Sequence, residues 1–281
     1  MRAQHFAGVL GWPLRHTLSP VIHNAAFRAL GLEWVYLAWP VRPEDLEAAV
    51  GGLRALRAKG ANVTMPHKET VIQYLDHLSG DAEALGAVNT IQVIGGELVG
   101  HNTDVDGFTD FLTGDVGYDA VGRRVLVLGA GGAACAVVKA LGDLGAVEII
   151  VAARNPERGA AVAAIAKAHT GAAASSVKWD RATALVARVD AVINATPLGM
   201  GSEEALPGAQ LSSAQLVVDL VYSPPSTPLL DRARAAGAAA WGGLGMLVCQ
   251  AAASFRIWTS QDPPAEVMSA AAIRAIGSSH N

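Results

Sequence analysis

Apolar and polar positions along this chain follow two spacings that take turns. Short apolar runs read as strands: "FAGVLG", "WVYLAWP", "ANVTM", "NTIQVI" and "ELVGHN". Interspersed with them are "SPVIHNAAFRALG" and "PEDLEAAVGGLRALRAKG", whose apolar residues fall three and four apart, on one helix face. Pro43 suits the first turn of the second helix, and Gly60 is expected at its C-terminal end. Strands alternating with helices predict an α/β fold with a mixed or largely parallel sheet covered on both faces.

A second series begins near residue 122. "RRVLVLGAGGAACAVVKALGDLGAVEIIVAARN" reads as strand, glycine turn, helix, strand, and "DAVINAT" and "QLVVDLVY" add two buried strands. The alanine-rich stretch "RGAAVAAIAKAHTGAAASS" keeps helical spacing with interspersed charge, so a surface helix is expected there. The end of the chain, from "GLGMLVCQAAASF" onward, reads as helical with a break at Pro263-Pro264. The predicted domains are residues 1–103, joined by C-terminal helices from about 245 to 281, and residues 104–244.

Composition narrows the class. With 51% hydrophobic and 16% charged residues over 281 positions, the chain suits a compact two-domain protein rather than a disordered one. A net charge of −4 offers no basic face to nucleic acid or to a membrane. No apolar run reaches the length of a membrane span, and the N-terminal run breaks at Gly11-Trp12-Pro13, too early for a signal peptide. A soluble, cytoplasmic protein is the expectation, working as monomer or homodimer. Cys135 and Cys249 sit in apolar surroundings and read as small core residues. His16, His23, His67 and His101 lack ligand spacing, so no metal is expected. His67 is expected beside Lys68 or in solvent. Trp12, Trp34, Trp39 and Trp241 read as core or contact residues, and Ser202, Glu203 and Glu204 as a solvated loop.

The glycine turn carries the first chemistry. "VLVLGAGGAA" sets Gly129, Gly131 and Ala134 in the G-x-G-x-x-G/A pattern between a strand and a helix. The first glycine makes the tight turn, the second lets backbone approach a pyrophosphate, and the alanine keeps helix close to strand. An NAD site would carry Asp or Glu at the end of the next strand. Here "VAARNPERG" places Arg154 there, with Arg158 one turn on, a pair suited to a 2′-phosphate. Glu148 is at the wrong end of that strand, and Glu157 is read as solvent-facing or paired with an arginine. NADP is the expected cofactor.

The first half supplies the second chemistry. Only five lysines occur, and Lys68 falls just after Pro66, where the run "GANVTM" stops and a helical pattern begins. Around it in sequence are "HTLSPVIHN", "GAVNTI" and "GHNTDVDGF", which contribute Thr17, Ser19, Thr64, Asn89 and Asp104. Many hydroxyls and amides with one cation and one carboxylate suit a small polyhydroxylated ligand bearing a carboxylate. Asp106 is read as a helix-start acid.

Taken in order, "GWPLRHTLSP", "NVTMPHK", "GAVNT", "GHNTDVDGF", "VLGAGGAA", "NATPLGM", "DLVYSP" and "GLGMLVCQAAASF" resemble the shikimate dehydrogenase family over essentially the whole chain. The resemblance implies reversible reduction of 3-dehydroshikimate to shikimate with NADP. It implies an N-terminal substrate domain, a Rossmann-type cofactor domain, and C-terminal helices packing back on the first. Lys68 and Asp104 match the catalytic pair, which relays a proton at the C3 oxygen. Ser19, Thr64, Asn89, Tyr222 and Gln250 match substrate-contacting positions, with Thr17 where the family usually has serine. Gly129, Ala130, Gly131, Gly132, Ala133, Arg154, Arg158, Thr196, Leu220 and Gly243 match cofactor positions. Asn155 belongs to the same loop, which reads Ala153-Arg154-Asn155 in place of the commoner Asn-Arg-Thr. The added methyl of Thr17 keeps a quinate/shikimate dehydrogenase with relaxed cofactor use as an alternative. A ligand sensor without turnover is the alternative from another class, and an intact Lys68 and Asp104 speak against it. Action on an amino-shikimate analogue is a third.

Overall fold

The computed structural model describes residues 4–14 and 17–278, and His16 lies outside them. Two compact units divide the chain: Met1–Gly107 with Val248–Asn281, and Phe108–Leu247.

In chain order the first unit holds β1 (His5–Gly11), α1 (Ser19–Ala29), β2 (Trp34–Pro40), α2 (Leu46–Ala55), β3 (Gly60–Val63), β4 (His77–Leu78), α3 (Gly80–Leu85), β5 (Thr90–Ile94), β6 (Glu97–His101) and the start of α4 (Thr103–Asp110). Its six-stranded sheet runs β2-β1-β3-β5-β6-β4. Leu10, Leu46, Val50, Leu53, Ile91 and Leu98 form the core where α2 covers this sheet. β1 is parallel to both neighbours, whereas β3–β5 and β5–β6 are antiparallel. The sheet is therefore mixed, the first of the two arrangements expected for it. Gly95 and Gly96, with φ of 60° and 94°, make the tight hairpin turn from β5 to β6.

Gly60 corrects an expectation. α2 stops at Ala55, and Gly60 opens β3 rather than ending the helix. A Cβ there would overlap the Ile91 carbonyl oxygen and Trp258 Nε1, so the position is glycine for packing, not for capping.

The second unit begins with the end of α4. It continues with β7 (Arg124–Leu128), α5 (Gly132–Asp143), β8 (Glu148–Ala153), α6 (Pro156–His169), β9 (Ala173–Lys178), α7 (Ala182–Leu185), β10 (Ala191–Asn194), β11 (Leu216–Asp219), α8 (Pro228–Ala235) and β12 (Ala239–Gly242). The strands lie in the order β12-β11-β10-β7-β8-β9, every neighbouring pair parallel. Counted from β7, that is 6-5-4-1-2-3, the doubly wound Rossmann order with its switch point between β7 and β10. The edge strands β9 and β12 are additions to the sequence reading, as are α7, α8 and, in the first unit, β4 and α3. The expected alanine-rich helix ends at His169; Gly171, with φ of 74°, turns the chain, and residues 173–178 pair with β8 as a strand.

α9 (Leu244–Thr259) and α10 (Ala265–Ser278) follow, and from Val248 onward the chain belongs to the first unit. Trp258 donates Nε1–H to the Ile91 carbonyl at 3.0 Å, which ties α9 to that unit's sheet. No helix of the described residues is long and apolar enough to cross a membrane.

Candidate active site

Lys68 follows the turn at the end of β3, and its backbone carbonyl accepts from Val88 N–H at 2.8 Å. Its Nζ lies 2.5 Å from Asp104 Oδ2. Asp104, on the first turn of α4, is 8% exposed. Its other oxygen, Oδ1, accepts from Asn89 Nδ2 at 2.8 Å, and its backbone N–H donates to Asn102 Oδ1 at 3.1 Å. The orientation of Asn89 is fixed by chemistry. Asn89 Oδ1 accepts the Thr103 backbone N–H at 2.7 Å, so the amide nitrogen must be the atom that faces Asp104. Asp104 thus accepts at both carboxylate oxygens, one from an amide and one from the lysine.

Behind this pair lies a buried cluster of amides and hydroxyls that sequence reading missed. Asn62 Nδ2 is within 2.9 Å of Thr90 Oγ1 and 2.9 Å of Ser254 Oγ, and 3.2 Å from the Asn89 carbonyl. Ser254 Oγ also lies 3.1 Å from Thr103 Oγ1 and donates to the Gln250 carbonyl at 3.1 Å. Tyr36 donates its hydroxyl to Asn62 Oδ1 at 2.6 Å. Burial pushes the Tyr36 phenol well up, against a smaller opposing effect from the Ser19 hydroxyl bonded to it. Ser19, Asn62, Asn89 and Asp104 therefore belong to one connected network. The signal was present in "GANVTM" and "QAAASF", where an asparagine and a serine interrupt apolar runs.

The other sequence candidates in this unit are placed as follows. Ser19 opens α1, and its N–H donates to Thr17 Oγ1 at 3.3 Å. Thr64 is half-buried just past β3, and Gly11 has no side chain because a Cβ would press on the Thr64 methyl. Gln250 sits on α9 with Gly107 of α4 against it: a Cβ on Gly107 would lie 2.6 Å from Gln250 Cβ. His67 is neither in solvent nor a mere neighbour of Lys68; it is buried, with Nε2 2.7 Å from the Val41 carbonyl. Burial lowers His101 from the usual imidazole range. Asp106 is exposed. Trp12, expected as a core or contact residue, is exposed and has Arg42 5.4 Å over its ring.

In the second unit, Gly129 ends β7 with φ of 110°, and a Cβ there would meet Thr196 Cγ2 at 2.9 Å and the Ala195 carbonyl oxygen at 3.0 Å. Gly131 caps α5, and a Cβ built on it meets nothing within 4 Å. The first glycine is demanded by the protein's own packing; the second leaves open space beside a helix start, as a phosphate needs. Ala130 completes the turn, Gly132 and Ala133 open α5, and Ala134 is fully buried against the sheet. Thr196 uses its hydroxyl within the loop, donating to Asn194 Oδ1 at 2.6 Å and accepting from Leu198 N–H at 3.2 Å. Asn194 in turn donates to Asp219 Oδ1 at 2.8 Å, and Thr227 donates to Asp219 Oδ2 at 2.6 Å. Burial raises the Asp219 carboxyl, partly offset by these bonds and one from Val221 N–H. Gly243 lies so close to Leu220 that a Cβ would overlap the Leu220 carbonyl. Tyr222 is half-buried, and burial raises its phenol. Trp241, expected as a core or contact residue, is exposed and meets Phe111 edge-on, ring centroids 6.4 Å apart.

Arg154 and Arg158 are both exposed. Asn155 spends its side chain as the cap of α6, accepting from Arg158 N–H at 3.0 Å. Arg154 Nη2 is 3.5 Å from Glu203 Oε2, and Arg232 Nη1 is 3.1 Å from Glu204 Oε2, so both acids of the expected solvated loop have arginine partners. Cys135 and Cys249 are half-buried rather than in the core. Among the described residues, no cluster of three or more His, Cys, Asp or Glu side chains could hold a metal ion.

A Rossmann-ordered sheet with a glycine turn at its switch point, carried on one chain with a lysine–carboxylate pair, defines a dinucleotide-dependent oxidoreductase. Family models described as the shikimate dehydrogenase substrate binding domain, shikimate / quinate 5-dehydrogenase and the shikimate 5′-dehydrogenase C-terminal domain match residues 9–91, 115–219 and 243–273. The chain is 44% identical to shikimate dehydrogenase (NADP(+)) of Methanothermobacter thermautotrophicus, covering 97% of each. It resembles the structure of Thermus thermophilus shikimate 5-dehydrogenase with NADP(H) and shikimate at TM-score 0.87 and 37% identity, covering 96% of this chain and 99% of that one. Quinate dehydrogenase of Corynebacterium glutamicum with NAD matches at TM-score 0.90 and 32% identity, covering 96% and 99%. This chain belongs to the shikimate dehydrogenase family.

Proposed function

We propose that this protein is an NADP-dependent shikimate dehydrogenase, reversibly reducing 3-dehydroshikimate to shikimate on the route to chorismate and the aromatic amino acids. The observation that carries the reading is the Lys68 Nζ–Asp104 Oδ2 contact of 2.5 Å, with Asp104 held from its other side by Asn89. When bound, NADP(H) supplies or takes the hydride at C3. In reduction the C3 oxygen takes a proton from Lys68 Nζ, and in oxidation Lys68 takes that proton back. Asp104 orients the ammonium. Thr17, Ser19, Thr64, Asn89, Tyr222 and Gln250 bind the hydroxyls and carboxylate of the substrate.

The residues present fit the cofactor. The open space at Gly131 and the exposed N-terminus of α5 receive the pyrophosphate, with Gly129, Ala130, Gly132 and Ala133 shaping the turn. Arg154 and Arg158 take the 2′-phosphate, while Asn155 holds the loop through its cap. Thr196, Leu220 and Gly243 belong to the nicotinamide side. The net charge of −4 and the absence of an apolar spanning helix among the described residues support a soluble cytoplasmic enzyme without nucleic-acid or membrane partners, as monomer or homodimer.

Initial rates of shikimate and quinate oxidation, each with NADP+ and NAD+, test the reading. Turnover concentrated on shikimate with NADP+ is expected. Comparable quinate turnover would trace to Thr17 and place the chain with the quinate/shikimate enzymes, and binding without turnover would leave a sensor.

A further inference from the structure

The Arg154 guanidinium is bracketed on two sides. Its Cζ lies 5.7 Å over the ring of Trp179, and its Nη2 is 3.5 Å from Glu203 Oε2. Trp179 is itself anchored, packed against the core of the second unit. Glu203 is not a freely swinging loop residue either. Its backbone carbonyl accepts from Gly199 N–H at 2.9 Å, where Gly199 adopts φ of 106° and backs onto Thr227. The neighbouring acid, Glu204, is occupied by Arg232, so Glu203 is the acid of this loop that faces Arg154.

We propose that Glu203 is a cofactor-specificity residue that works against the 2′-phosphate. The proposal rests on the reading of Arg154 as the 2′-phosphate partner. The Nη2 that faces the carboxylate is shared with an incoming phosphate, so NADP+ competes with Glu203 for it. The displaced carboxylate then stands near a group carrying about −1.5 to −2 charges, and like charges repel. NAD+ meets neither cost. Its 2′-hydroxyl is a donor, and Glu203, beside Arg154 though on another loop, offers it an acceptor of the kind that a strand-end acid supplies in NAD sites. Glu203 thus narrows the gap that Arg154 opens between the two cofactors. The chain carries both halves of a cofactor selector, the arginine on β8's end and the acid on the loop after β10.

The test is cofactor affinity, measured by fluorescence titration with NADP+ and NAD+ on wild type, Glu203→Gln and Arg154→Ala. Both positions are exposed, with side chains 69% and 74% accessible for Arg154 and Glu203, so neither change threatens the fold. Glu203→Gln should tighten NADP+ binding by roughly 2- to 5-fold, in keeping with a solvent-exposed ion pair, and leave NAD+ unchanged or weaker. The gain should shrink as salt rises from roughly 50 mM to 500 mM, because the charges are screened. Unchanged NADP+ affinity, or equal changes for both cofactors, would overturn the proposal. Arg154→Ala separates the two layers of argument. A loss confined to NADP+ upholds the 2′-phosphate reading whatever Glu203 does, and equal losses for both cofactors would remove that reading and the proposal with it.

Discussion

Lys68 is paired with Asp104, its carbonyl accepts from Val88 N–H, and Asp104 is itself fixed by Asn89 and Asn102. Lys68→Ala should therefore lower kcat by about 10²–10⁴, the range for a lost proton-transfer group, with NADP+ affinity unchanged. Stopped-flow single turnovers with parallel cofactor titrations measure both, and undiminished kcat would take Lys68 out of the chemistry. His23 makes a separate prediction about acid. It is fully buried, stacked on Tyr36 at 4.4 Å, with neither ring nitrogen hydrogen-bonded among the described residues. Burial lowers its pKa from 6.5 to about 3, because the cation loses its water. The unfolded chain then binds this proton below pH 6.5 while the folded chain does not, so stability falls as pH drops from 6.5 toward 3. The slope is about 1.4 kcal/mol per pH unit. Urea unfolding at pH 7 and 5 should show a smaller loss for His23→Phe than for wild type, by about 2 kcal/mol. Equal losses would mean that His23 is protonated in the fold. At this scale the sequence displayed the charged and glycine residues of the site well, because their types are rare or their spacing is diagnostic. Glu203 and Trp179 stayed hidden, since their meaning lies in reaching Arg154 across the sheet.

α9 is the element whose role depends most on partners distant in sequence. Ser254, one turn after Gln250, joins it to Asn62, Thr90 and Thr103. Those contacts differ in how replaceable they are. Asn62 Nδ2 has three acceptors for two hydrogens, so Ser254→Ala removes one option and should cost about 1 kcal/mol. Asn62→Leu takes away the acceptor of the buried Tyr36 hydroxyl and one of the four partners of Thr90 Oγ1, and should cost about 2 kcal/mol. Denaturant midpoints would check the order, and a larger loss for Ser254→Ala would show that the cluster hangs on α9 instead. The helices and central strands were legible because their apolar spacing reports burial directly. The short β4, α3, α7 and α8 went unread, and three further features show why sequence spacing can fail. The β5–β6 hairpin hid behind a general expectation of parallel strands, although Gly95-Gly96 between two apolar runs is a hairpin signature. β9, "AASSVK", is an edge strand with several exposed positions, so it shows no apolar period and merged into the alanine-rich helix before it. β12, "AAWG", is four residues long and lies at the opposite edge, too short to show any period.

At the scale of the whole molecule, the chain leaves its first compact unit after Gly107 and re-enters it at Val248, so that unit is assembled from both ends of the sequence. Gln250, Ser254 and Trp258 reach the first unit only through this return. Lys68, Asn89 and Asp104 lie in the first unit; Gly129, Gly131, Arg154 and Thr196 lie in the second. Substrate and cofactor are thus assigned largely to different units, and each ligand should stabilise its own. A ligand that binds only the native state adds RT ln(1 + [L]/Kd), about 2.7 kcal/mol at 100-fold excess over Kd. Local opening is suppressed where the ligand touches, so hydrogen exchange can locate that energy along the chain. With NADP+ alone, protection should rise in peptides covering 125–135, 152–160 and 194–200, the glycine turn, the Arg154 loop and the Thr196 loop. With shikimate alone, it should rise in 60–70, 86–106 and, although far away in sequence, 248–258. That last segment is the discriminating one. Protection of 248–258 by shikimate would show the C-terminal return working as part of the substrate unit. Its absence, with 60–70 and 86–106 protected, would leave α9 as a structural brace and remove Gln250 from the substrate contacts.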